Sequence, residues 1–263
     1  RDNEYILSSY QPTSNSFSAS FRGVFAIHNE TVNIHSHLEG ALFFIGLLAY
    51  FFQHLESWSP GIERADVAVF SLYFFGVSMC LLLSATYHTL QNHSPRVAAF
   101  GNQLDYLGVI FFMWGACIPQ IYYGFWENPG LCRFYWTTST LLCLGSAGVT
   151  VHPKFRTPAY RTRRAIMYTS LGLTAIVYVL HGILLHGWQV QNLRMSLMWE
   201  LLTASLFILG ATLYALRIPE RWYPLRFDVC GASHQIFHFM VLFGGLAHTM
   251  GLVKACMHVH GYS

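Results

Sequence analysis

Long apolar stretches separated by short polar ones dominate the chain. Nearly uncharged runs recur near Leu38–Phe52, Val67–Tyr87, Tyr106–Tyr123, Phe134–Val151, Ala165–Leu185, Ser196–Leu216 and Ile236–Val253. About 20 helical residues cross the hydrocarbon of a bilayer, and lipid cannot satisfy free backbone N–H and C=O groups, so each run predicts a spanning α-helix. The expected fold is all-α, an integral membrane bundle of seven transmembrane helices. Ahead of the first run, Phe17, Phe21, Val24 and Phe25 recur at helical spacing among Ser18, Ser20 and Arg22. That pattern predicts a short amphipathic helix at the membrane interface, serving as an anchor or simply as the lead-in to the first span. Residues 1–35 then form an arm carrying this helix, 36–253 the bundle, and 254–263 a tail.

Composition agrees with the pattern. The 263 residues are 54% hydrophobic and only 10% charged, against roughly 25% charged in a soluble domain. The Lys and Arg residues are unevenly placed. Arg1, Arg22, Arg96, Lys154, Arg156, Arg161, Arg163, Arg164, Arg217, Arg221 and Arg226 flank one side of the predicted bundle, and Arg64, Arg133, Arg194 and Lys254 the other. The positive-inside rule therefore puts the N-terminus in the cytoplasm and the C-terminus outside, opposite to a G-protein-coupled receptor. A retinal protein is excluded too, because Lys154 and Lys254 both fall in loops. No basic run with interleaved aromatics suggests nucleic acid, and the polar first 35 residues do not read as a cleavable signal peptide. The sequons at Asn29 and Asn92 fall on the expected inner face. Cys132 and Cys256 are both expected outside, and whether they pair is left open.

The chemistry gathers at one end. His234 and His238 open the last apolar run four residues apart, so on a helix both imidazoles face one spot. Two nitrogens at one spot are half of a metal site, although such a pair also serves simply to hydrogen-bond loops at an interface. Alternation of sides puts His88 at the depth of that pair, with Ser84 one turn deeper on the same face and Asp105 opening the third span on the same side. This convergence favours the metal reading. His35 and His37, two apart on a helix, diverge and cannot serve one site. His248 lies about 15 Å along the axis from His238, too far to share an ion. His181 and His186 read as interfacial, and His258 and His260 as solvent-exposed. Small residues at Gly145, Ser146, Ala147 and Gly148 suggest close helix contact in the fourth span. The proline-pinned loop Arg217–Asp228 is expected to pack beneath the bundle and set the entry of the last helix.

Taken together, Glu30-x2-Asn33-x3-His37, Ser84-x3-His88-x16-Asp105 and Ser233-His234-x3-His238 resemble the three motifs of the progestin and adipoQ receptor family, which includes adiponectin receptors and haemolysin III-related proteins. The likeness extends to Arg1–Leu7, Ala215–Arg221 and Phe227–His238. It implies Zn2+ held by His88, His234 and His238 near the cytoplasmic face, with Asp105 holding the water in the fourth position and Ser84 beside it. On that basis Asp105 is the expected general base. Ser84 is an expected hydrogen-bond donor to a developing oxyanion, worth about 3 kcal/mol if well placed. The resemblance implies a zinc-dependent, ceramidase-like amide hydrolase, or a ligand-responsive receptor with a structural zinc, in a plasma or internal membrane. A zinc transporter fits less well, since no continuous ionisable path crosses the predicted spans. Expected partners are membrane lipids such as ceramide, a fatty acid or a sterol-like ligand, and an extracellular protein ligand; a homo-oligomer is left open.

Overall fold

A computed structural model describes residues 3–58, 61–152 and 161–261. Arg1, and Lys154 and Arg156 of the basic loop, lie outside the described residues. The described residues form eight α-helices and no strand: α1 (Phe17–Gly23), α2 (Thr31–Trp58), α3 (Arg64–Leu90), α4 (Pro95–Gly124), α5 (Pro129–Val151), α6 (Arg161–Met195), α7 (Leu197–Leu216) and α8 (Ser233–Val259). Six of them, α2, α3, α4, α6, α7 and α8, are long and apolar enough to cross a membrane. The helices outrun the apolar runs by up to about three turns, most at the start of α4 and the end of α6, and α8 runs on to Val259, so Lys254 lies in that helix and not in a loop or tail. Leu184, Leu141, Leu144 and Ile208 are examples of large apolar side chains more than 60% exposed on the helix flanks, as expected where lipid is the solvent.

The chain is organised around α3, which packs along α2 and α4, while α8 lies along α7 and touches α2, α4 and α6. Glycines let α3 and α4 approach backbone to backbone. A Cβ on Gly76 would stand 2.5 Å from the Phe111 carbonyl oxygen, one on Gly115 2.8 Å from the Leu72 carbonyl, and one on Gly108 2.9 Å from the Cys80 Cα. Of the small residues expected to do this in the fourth span, the two glycines do not, since a Cβ on Gly145 or Gly148 would meet nothing within 4 Å, whereas Ser146 is buried and Ala147 packs on the cluster of Ile110, Cys143 and Leu171. Close contact instead belongs to the buried hub. Phe70, Phe74, Tyr73, Phe44, Val77 and Leu81 fill that hub. Gly187, at φ +78°, interrupts α6 where an L side chain would be strained.

The amphipathic α1 is present and inverted relative to a soluble helix. Phe17 and Phe21 point outward, 53% and 56% exposed, while Ser20 is buried and donates to Asn92 Oδ1 at 2.7 Å. An apolar outer face over a polar inner one suits the membrane interface. The arm before it is irregular, as expected, yet firmly tied. Leu7 and Ser8 donate backbone N–H groups to Asp228 Oδ2 at 3.1 and 2.6 Å, and Asn3 Nδ2 donates to Glu220 Oε1 at 2.9 Å. Asn92, of the second sequon, donates its amide to Gln11 at 2.6 Å. Glu220, in the proline-pinned loop, in turn receives the Ser233 backbone N–H at 2.8 Å and the Ser233 hydroxyl, capping α8. The loop thus sets the entry of the last helix.

Several expectations about isolated polar residues change. His260 is not solvent-exposed: its side chain is 7% exposed and its Nε2 lies 2.9 Å from Asp66 Oδ2. Cys132 and Cys256 are both free, Cys132 among Ile121, Phe125 and Tyr178 and Cys256 among the α3 core residues. His181 Nδ1 pairs with the Tyr135 hydroxyl at 2.7 Å and His186 Nδ1 with Gln191 at 3.1 Å. His248 Nδ1 lies 2.9 Å from Glu200 Oε1, a contact between a buried imidazole of α8 and a half-buried carboxylate of α7. His35 turns away to Glu39 and the Val24 carbonyl, while His37 is buried against His238.

The glycine seam makes a paired prediction. Gly76→Ala should destabilise the protein by about 1–3 kcal/mol, because the added methyl meets backbone rather than a movable side chain. Gly145→Ala should be neutral or gain up to about 1 kcal/mol, because it adds helix propensity in open space. Thermal unfolding in detergent checks both.

Candidate metal centre

His88 sits in the last turn of α3, and α4 begins after a tight turn in which Ser94 caps the helix by accepting the Val97 N–H at 3.4 Å, with Pro95 at the first helical position. The antiparallel register that sets Gly101 against Tyr87 and Gly108 against Cys80 sets Asp105 opposite Ser84. Ser84 and His88 are both close enough to act on the Asp105 carboxylate. Ser84 is buried and Asp105 half-buried. From the other side, the cap on Ser233 fixes the first turn of α8. Gln235 braces it further, accepting the Gly231 N–H at 2.6 Å and donating to the Val229 carbonyl at 2.9 Å.

His234 and His238 then project toward His88. The ring centroids of the three imidazoles are 4.7 Å (234 to 238), 4.9 Å (88 to 238) and 5.0 Å (88 to 234) apart. One nitrogen from each lies within 4.8 Å of the others. His234 Nε2 and His88 Nε2 face each other at 3.3 Å. Two ligands at 2.0–2.1 Å from a tetrahedral zinc stand about 3.3 Å apart, so the three residues fit such an ion. Neutral imidazoles whose lone pairs meet at one point repel unless a cation sits between them.

The chain also fixes which nitrogen each ring presents. His88 Nδ1 donates to Glu30 Oε2 at 2.8 Å, which leaves Nε2 free to bind. Asn33 Nδ2 donates to the same oxygen at 2.6 Å. Burial by itself would raise the Glu30 carboxyl, but the His88 hydrogen bond and charge, helped by Asn33 and His234, outweigh it and hold the group at about 2. Glu30 is placed by His28, whose Nε2 donates to the Gly23 carbonyl at 3.1 Å and whose Nδ1 accepts the Glu30 N–H at 3.1 Å. Burial pushes His28 below its ordinary value, which favours the neutral form that this bonding needs. His238 has its Nδ1 at 3.3 Å from the Ser36 hydroxyl and is stacked by His37, ring centroids 3.5 Å apart and nearly parallel. Tyr214 packs edge-on against His234 at 5.0 Å.

The structure therefore brings together all five residues singled out from the sequence: Ser84, His88, Asp105, His234 and His238. It adds as supports Ser36 and His37, in the first turns of α2, and Glu30 just ahead of it; Glu30 and His37 stand in the family-like motif, but local spacing gave them no role at this site. The class defined here is a helical, multi-pass membrane protein with a three-histidine metal-capable centre at one end of the bundle.

Comparison with known proteins gives the family. The Haemolysin-III related family model matches residues 25–249. The chain is 37% identical over 263 residues to the Adiponectin receptor protein of Drosophila melanogaster, covering all of this chain and 59% of that one. It is 35% identical over 260 residues to the ADIPOR-like receptor IZH2 of Saccharomyces cerevisiae, covering 99% and 82%. To Progestin and adipoQ receptor-like protein 1 of Caenorhabditis elegans it is 34% identical over 252 residues, covering 96% and 57%. The chain belongs to the progestin and adipoQ receptor family of haemolysin III-related membrane proteins.

Glu30→Gln should keep the fold and weaken metal binding about 10- to 100-fold, read by competition with a chelator. The Glu30 pKa is depressed on folding, so its contribution to stability is complete above about pH 4.5 and is lost as the pH falls toward 2. The difference in thermal midpoint between wild type and Glu30→Gln should therefore shrink over that interval.

Proposed function

We propose that this protein is a seven-span membrane protein, N-terminus in the cytoplasm and C-terminus outside, that holds Zn2+ on His88, His234 and His238 and hydrolyses a long-chain lipid amide of the ceramide type. The observation that carries the reading is the convergence of three imidazoles, with Nε2 atoms of His88 and His234 at 3.3 Å, next to the half-buried carboxylate of Asp105. For the seventh span we take α5, whose run Thr137-Thr138-Ser139-Thr140 makes it less apolar than the other six. The orientation rests on the Lys and Arg asymmetry.

Bound at the three nitrogens, Zn2+ would supply Lewis-acid polarisation and lower the pKa of water to about 7. The chain's own groups do the rest. Asp105 accepts a proton from the attacking water and returns it to the departing amide nitrogen, so that amide and water become a carboxylic acid and an amine. Ser84 lies beside the Asp105 carboxylate, where its hydroxyl can orient that base or donate to the developing oxyanion. Glu30 keeps the His88 proton on Nδ1. The apolar flanks of the helices suit a substrate that arrives from the bilayer.

A second reading is a receptor. Its support is that the three nitrogens come from α3 and α8, so an ion there ties two helices together and a ligand could bias their arrangement without turnover. Relatives carrying receptor names agree with it.

Metal analysis and ceramide hydrolysis on the same purified samples test both. Wild type should contain zinc and turn over. His238→Ala should carry one zinc fewer per chain and lose turnover, and Asp105→Asn should keep the zinc while turnover falls about 10²- to 10⁴-fold. Zinc without hydrolysis in wild type favours the receptor; zinc-free wild type overturns both readings.

A further inference from the structure

The far end of the same two helices repeats the arrangement with different donors. Asp66, in the first turn of α3, is fully buried. Its Oδ2 receives the Glu63 N–H at 2.8 Å and lies 2.9 Å from His260 Nε2. Its Oδ1 receives the Tyr123 hydroxyl at 2.8 Å and lies 4.0 Å from Cys256 Sγ. Cys256 is buried in the last turn of α8 and His260 follows it by four residues. One donor atom from each of the three lies within 4.8 Å of the others. At each end, then, α8 offers two donors one turn apart and α3 offers the third.

We propose that Asp66, Cys256 and His260 form a second divalent-cation site, of the zinc class, at the end of α3 and α8 remote from the histidine centre. A carboxylate, a thiolate and a neutral imidazole are all zinc ligands. The sulfur selects Zn2+ or Co2+ over Mg2+ and Ca2+, and the two negative ligands balance the ion. On a tetrahedral ion neighbouring donors stand about 3.3–3.6 Å apart; here His260 Nε2 lies 2.9 Å from Asp66 Oδ2, and Cys256 Sγ lies 4.0 Å from Asp66 Oδ1. One donor atom from each residue lies within 4.8 Å of the others, so shifts on the order of 1 Å admit the ion. On binding, His260 exchanges its contact with Asp66 for the metal, and Cys256 gives its proton to solvent. Tyr123 and the Glu63 N–H orient the carboxylate, as outer hydrogen bonds do around metal ligands. Trp126 closes the side of the site, edge-on to His260 at 5.3 Å. The site's physical role is a clasp between the start of α3 and the end of α8, independent of whether the histidine centre is catalytic.

Cobalt reports this site separately, because the histidine centre has no sulfur. Metal-stripped full-length protein in detergent, reduced and kept under inert gas, is titrated with Co2+ while the sulfur-to-cobalt charge-transfer band is followed in the near ultraviolet. The expected result is a saturable band in wild type that Zn2+ displaces. The band should be absent in Cys256→Ser, about 10-fold or more weaker in affinity in His260→Ala, and unchanged in His88→Ala and in Cys230→Ser, which removes the exposed thiol. No band in wild type, a band that survives in Cys256→Ser, or one that vanishes in Cys230→Ser overturns the proposal and leaves Asp66 as a hydrogen-bonded hub alone. Should Cys256→Ser fail to fold, the wild-type spectrum and His260→Ala decide.

Discussion

The backbone contact between α3 and α4 is the constraint on which the candidate centre depends. Association of helices in lipid gains little from burying apolar surface, since the surrounding tails are equally apolar; it rests on close packing and on polar contacts. Gly76, Gly108 and Gly115 supply the packing by letting each helix meet the other's backbone. That register carries Asp105 to Ser84 and sets both beside His88. A slip of one residue along this seam would rotate Asp105 by about 100° and take it off the site. Stability and chemistry therefore share one interface.

The histidine end is then closed from below by parts of the chain that never enter the bundle. Glu220 binds the start of α8 and the arm residue Asn3, while Asp228 takes the Leu7 and Ser8 backbone. Glu30 reaches from the approach to α2 to hold His88. Carboxylates thus do the joining at this end, each spending its charge on several donors at once. Hydrogen bonds to a charged group are stronger than neutral ones, which suits carboxylates shared among several donors. The result is a centre whose three imidazoles are aimed by groups on α2, α3 and α8 and by the two segments beneath them.

Two pairs of ionisable residues inside the bundle join helices. Glu200 with His248 ties α7 to α8, and Asp66 with His260 ties α3 to the end of α8. Polar groups in a bilayer are costly unless they find partners. Their meeting across helices makes α8 the element through which the two ends of the molecule are mechanically connected.

Much of this was legible in local spacing, and the failures are instructive. The lengths of the apolar runs predict spanning helices, and the four-residue spacing of His234 and His238 predicts one shared face, because both follow from the rise and turn of a single helix. The depth of His88 and Asp105 followed from alternation of sides. Gly145 and Gly148 misled, since a helix in lipid can be apolar on every face and small residues do not reveal which face meets a neighbour. His260 read as exposed because nothing near it in sequence announces Asp66, which stands 194 residues away. By itself, then, the sequence determined which segments are helical, which are apolar, and which donors share a turn. Only the tertiary structure decided which helices touch, which nitrogen of His88 is left free, and which distant carboxylate meets each histidine. Those depend on the register between helices, a long-range quantity that no short-range periodicity encodes.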